Sequence, residues 1–199
     1  HSAFAYLGSA RFMDVARDAG RTIVHKPYYL TRGITGVGST STRDRPANHR
    51  AYYFGREIER WSQFRDAPVV PDGRPTHHWN DMTLANCLLI AAGPTGPAVD
   101  ALAHAMLQAH WRDDADLANE DALRQLVKGV GVDPAVLFAS ASDKQVTATY
   151  EANTAEAITR SVFGSPTYFA DGDMFYGQDH LELLERALVK PFAGPWPRP

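Results

Sequence analysis

Apolar residues recur at helical spacing through most of this chain and shift to strand-like runs only near its two ends. Phe4, Leu7, Phe12, Val15 and Ala16 mark one face of residues 2–19, and Gly20 stops the run, which predicts a first helix. Thr22-Ile23-Val24 and Tyr28-Tyr29-Leu30, around His25-Lys26-Pro27, suit a strand and its exit. The polar stretch 33–48 reads as loop, after which Phe54, Ile58 and Trp61 give one buried helix stripe.

The middle is helical. Residues 81–92 close at Gly93-Pro94, and Val99, Leu102, Ala103, Met106, Leu107 and Trp111 form an amphipathic face. Shorter helices are predicted over 120–128 and 134–141, and a longer one over 143–161. Near the end, 167–170 and 174–176 read as two short strands joined by Asp171-Gly172-Asp173, a hairpin signal. A last helix follows over 179–189 with Leu181, Leu184 and Leu188 inward, and residues 191–199 form a proline-rich irregular tail. Mixed α and β elements at both ends thus bracket a helical middle, the layout of an α/β domain split by an all-α insertion.

Composition narrows the function. The 199 residues are 44% hydrophobic and 22% charged, as in ordinary globular proteins, and the formal net charge of −3 offers nucleic acid no basic face. No apolar run approaches the roughly 18 residues that span a bilayer, so no membrane partner is expected. Cys87 is the single cysteine. An internal disulfide and a dithiol redox cycle are therefore impossible, and a reducing, cytoplasmic setting is expected. Cys87 itself sits in the apolar run 84–90 and reads as core.

A few residues carry candidate chemistry. Ser2 precedes a helical run, where unpaired backbone N–H groups and the helix dipole favour negative charge. It reads either as an ordinary N-cap or as a hydroxyl beside an anion site. Ser165-Pro166 stands at a strand entrance, either as a trans proline or as a cis one that presents the Ser165 backbone to a ligand. Gln178-Asp179 lies between the last strand and the last helix. Asp179 and Glu182 fit a capping box, and the pair equally suits an α-amino group. His77-His78 lacks companions at metal-ligand spacing, and His104 and His110 do not share a helix face, so no metal is expected.

Together these segments resemble the 2-hydroxychromene-2-carboxylate isomerase family, kin of DsbA-like proteins and kappa-class glutathione transferases. The resemblance rests on Ser2-Ala3-Phe4-Ala5-Tyr6-Leu7, on 158–167 ending in Gly164-Ser165-Pro166-Thr167, and on 171–181 with Tyr176-Gly177-Gln178-Asp179. Arg50-Ala51-Tyr52 and Glu59-Arg60-Trp61 add to it. It implies a thioredoxin-like domain over 1–66 and 151–199, its first strand preceding His1, interrupted by a helical insertion over 67–150. It further implies glutathione as cofactor, a small aromatic conjugated keto acid as substrate, and a homodimer. Ser2 would steady the glutathione sulfur as the catalytic residue. Ser165, Pro166, Gln178 and Asp179 would bind the tripeptide, with Asn48 and His49 nearest the place of a relative's lysine. The same resemblance leaves a glutathione transferase or a non-catalytic DsbA-like module as alternatives. Ala3 and Ala5 stand where the family carries proline and a second serine.

Overall fold

The computed structural model describes residues 2–40, 42–194 and 196. Helix α1 spans Ala3–Asp18 and opens the chain on Ser2, whose extended backbone and side chain form its N-cap. Its apolar face buries Ala3, Tyr6, Leu7 and Val15. Helices α2 (Leu30–Gly36) and α3 (Ala47–Ala51) follow, and α3 runs through a π-turn at Tyr52–Arg56 into α4 (Glu57–Phe64). That widened turn brings Tyr53 and Phe54 together, their ring centroids 5.0 Å apart.

Five helices make the middle: α5 (Thr83–Ala91), α6 (Pro97–Asp113), α7 (Glu120–Gly129), α8 (Pro134–Ala141) and α9 (Lys144–Thr159). Side-chain oxygens of Asn119, Asp133 and Asp143 accept backbone N–H groups at three of their starts, as capping requires. Leu88, Leu102, Leu123, Val127 and Leu137 fill one core among α5–α8, with Cys87 buried in it. Strands β1 (Thr167–Ala170) and β2 (Asp173–Tyr176) pair antiparallel, Ala170 opposite Asp173. The two-residue turn Asp171-Gly172 has positive φ at both positions, as the Asp-Gly pair favours. Helix α10 (Leu181–Val189) packs Leu181 and Leu184 with Val15, Tyr168 and Phe175.

Three local expectations are corrected. Residues 22–29 form no strand, and Leu30 opens a helix instead of closing a strand. A ladder needs a partner, and a cavity of about 410 Å³, lined by Phe12, Ile23, Val24, Tyr168 and Phe169, adjoins both the segment and β1. The polar stretch taken as loop holds most of α2 and the start of α3, whose helicity the Gly and Thr content conceals. The last helix starts at Leu181, because Gly177, at φ 95°, turns the chain into a 3₁₀ turn over Gln178–His180. Asp179 therefore does not cap it, and no side-chain cap forms there. The proline-rich tail lies partly outside the described residues, as do His1 and whatever precedes it.

Candidate functional site

The first helix aims its N-terminus at the loop before β1. The Ser2 hydroxyl donates to the Ser165 carbonyl oxygen at 2.6 Å and accepts the Ala5 N–H at 3.4 Å. No acidic residue occupies the first turn of α1, so nothing intrinsic to the helix neutralises its positive end. The Ser165–Pro166 bond is cis. The neighbouring carbonyls are also occupied: Gly164 O accepts from the Tyr28 hydroxyl (3.1 Å) and the Thr167 hydroxyl (2.7 Å), and Pro166 O from the Gly177 N–H (2.9 Å). Sequence distance vanishes here, since Ser2 and Ser165 are 163 positions apart.

Aromatic side chains wall the same region. Phe4, two residues after Ser2, contacts Tyr53 with ring centroids 4.8 Å apart and Phe54 at 6.4 Å. His49 faces Tyr53 at 5.6 Å and Phe54 at 6.4 Å. Tyr176 lies over Gly164, where a Cβ would meet the hydroxyl at 2.6 Å, and Phe163 sits 4.7 Å from it. Only glycine permits that approach. Burial pushes the Tyr53 hydroxyl up, Tyr176 reinforces the shift through charge and a hydrogen bond, and Arg45 opposes it. The Tyr28 hydroxyl is likewise pushed up by burial.

The expected ligand residues divide. Gln178 is 1% exposed, and its Oε1 accepts from Arg65 Nε at 3.1 Å, while its Nε2 has no partner among the described residues. Arg65 also donates to the Gln178 carbonyl at 3.2 Å and to Glu182 at 3.1 Å. Asp179 is exposed and folds back beside Gly177, close enough to influence Tyr53. Asn48 and His49 share the short helix α3, and only His49 stacks in the aromatic group.

Lys26 pairs with Glu156 on the wall of the cavity that Ser165 and Pro166 also line, and Trp79 is 58% exposed beneath Arg43. His104 meets Ser9 at 2.8 Å, whereas His78 meets His110 at 3.0 Å. Among the described residues no three His, Cys, Asp or Glu side chains converge as metal ligands. No helix among them is long and apolar enough to cross a membrane. Burial pushes the Cys87 thiol up, which suits core packing rather than nucleophilic chemistry. Tyr53, Tyr176, Arg45 and Arg65 were missed from the sequence. The Tyr52-Tyr53-Phe54 run and the Gly164 and Tyr176 pair carried the only local signal.

Comparisons with known proteins bear on the fold and the family. The family model described as DSBA-like thioredoxin domain matches residues 1–189. A 2-hydroxychromene-2-carboxylate isomerase of Sphingobium xenophagum is 25% identical over 94% of this chain and 93% of its own. One of Pseudomonas putida is 28% identical over 94% and 89%. A solved structure of a 2-hydroxychromene-2-carboxylate isomerase superposes with a TM-score of 0.80 at 28% identity, over 95% of this chain and 90% of that one.

Proposed function

The chain belongs to the DSBA-like thioredoxin domain family, and from that premise we propose that it is a glutathione-dependent isomerase acting on a small aromatic conjugated keto acid. The isomerase relatives support the reaction class. The observation that carries the proposal is the Ser2 hydroxyl at the positive end of α1, hydrogen-bonded to the Ser165 carbonyl beside cis-Pro166. A donor and a helix dipole converge there with no acidic side chain in the first turn of α1 to cancel them. That arrangement fits a thiolate and disfavours a neutral thiol.

Glutathione, when bound, supplies a thiolate that adds reversibly to the conjugated double bond and leaves after the carbon–carbon bond has turned. The residues of the chain prepare for that chemistry. Ser2 redirects its proton from the Ser165 carbonyl to the sulfur and stabilises negative charge without attacking anything itself. The Ser165 carbonyl, released, accepts a backbone N–H of the peptide. Asp179, exposed at the end of the turn, suits the cationic α-amino end. Buried Gln178 contributes by fixing that turn through Arg65. Phe4, Tyr53 and Phe54 offer an aryl face.

Titrating the glutathione thiol in the complex, by the ultraviolet absorbance of the thiolate, tests this reading. The expected result is ionisation well below the roughly 8.5 of an ordinary thiol. Thermal stability should rise in step, by about 2.7 kcal/mol at a hundredfold excess over Kd. No binding, or an unshifted thiol, would sink it.

A further inference from the structure

Arg45 stands out among the described arginines as the one with a buried side-chain nitrogen left without a hydrogen-bond partner among the described residues. Arg11, Arg21, Arg32, Arg65 and Arg160 each hold an acidic side chain. Arg45 instead lies over the Phe54 ring, 5.8 Å from its centroid. Its Nε is buried, and among the described residues it finds no hydrogen-bond partner. A buried donor on a cation is costly unless an acceptor completes it.

Its position gives that acceptor an address. Phe54 packs against Tyr53 and Phe4, and Phe4 follows Ser2 by two residues. The Arg45 charge is near enough to act on the Tyr53 hydroxyl, as is Asp179. Its backbone is also tied down, since Arg50 donates to the Arg45 carbonyl at 2.6 Å. A guanidinium with a buried, unpaired Nε therefore borders the aromatic wall of the site. A planar carboxylate attached to an aromatic or conjugated frame matches both features, and Arg is the residue that grips carboxylates through paired donors.

We propose that Arg45 receives the carboxylate of the substrate while Phe54 and Tyr53 take its conjugated ring system. This rests on the isomerase reading and names the group that selects an acid over a neutral analogue. Glutathione carries carboxylates too, so the test separates the two sources.

Calorimetric binding needs no turnover and so stands independently of the proposed reaction. Wild type should bind 2-hydroxychromene-2-carboxylate about 10- to 100-fold more tightly than its methyl ester, the range of a hydrogen bond to a charged group. Arg45→Met should erase that preference and leave ester binding intact, and Arg45→Lys should restore part of it. Glutathione binding should be unchanged in both variants. An acid-to-ester ratio that survives Arg45→Met, a wild type with no preference, or a loss confined to glutathione would each overturn the assignment. Absent turnover with an intact acid preference would instead count against the isomerase reading alone.

Discussion

The hydroxyl of Ser2 donates its proton to the carbonyl of Ser165 at 2.6 Å, joining the start of the first helix to the loop that enters the hairpin. One side chain thus acts as helix cap and as tertiary clasp. Replacing it with alanine removes both. Ser2→Ala should lower stability by about 1–2 kcal/mol, the sum expected for a lost cap and a partly buried hydrogen bond. A urea titration of the two proteins measures this, and equal midpoints would show the clasp to be idle.

Helix α1 approaches the 177–181 turn through a gap that only hydrogen fits. A Cβ at Gly8 would collide with the Gln178 Cβ and come within 3.3 Å of the Tyr168 hydroxyl. Gln178 has little room to retreat, being buried and held by Arg65. Gly8→Ala is therefore expected to cost about 1–3 kcal/mol by overpacking. Gly129→Ala, at the end of α7 where no atom lies within 4 Å, should be neutral or stabilising. The comparison reads packing apart from helix propensity.

The pair His78 and His110 gives stability a pH dependence. His110 Nδ1 lies 3.0 Å from the Ala115 carbonyl and so carries a proton, which leaves its Nε2 to accept from His78 Nδ1. Burial first, and the neighbouring His110 second, push His78 down from 6.5 to about 3. The unfolded chain then binds the extra proton first. The contribution is complete above about pH 6.5 and fades as pH falls toward 3. Denaturation midpoints should decline through that window, and the His78 ring resonance should not titrate near 6.5. A normal titration would refute the neutral pair.

Helical periodicity made most of the fold legible. Residues 134–141 and the strand 167–170 match their elements end to end, because a proline start or an Asp-Gly turn marks each locally. The strand that failed depended on partners distant in sequence. Residues 22–29 have strand-like chemistry, yet a strand exists only with a neighbour to complete its ladder. At the site, Ser2 and Ser165 could be nominated, but no pattern in the sequence states that one donates to the other. Gln178 reads as a ligand residue in the sequence, but its burial beneath Gly8 is not legible there. Arg45 looks like any polar loop residue until its missing partner is seen.

On the proposed reading, a borrowed thiolate beside Ser2 performs the isomerisation. The direct measurement is the rate at which 2-hydroxychromene-2-carboxylate reaches its ring-opened isomer, with and without glutathione, in wild type and in Ser2→Ala. Wild type should turn over only with the thiol, and Ser2→Ala should lose about 10- to 100-fold, as for a hydrogen bond to a charged group. Turnover that proceeds equally without glutathione, or that ignores the loss of the Ser2 hydroxyl, would contradict it.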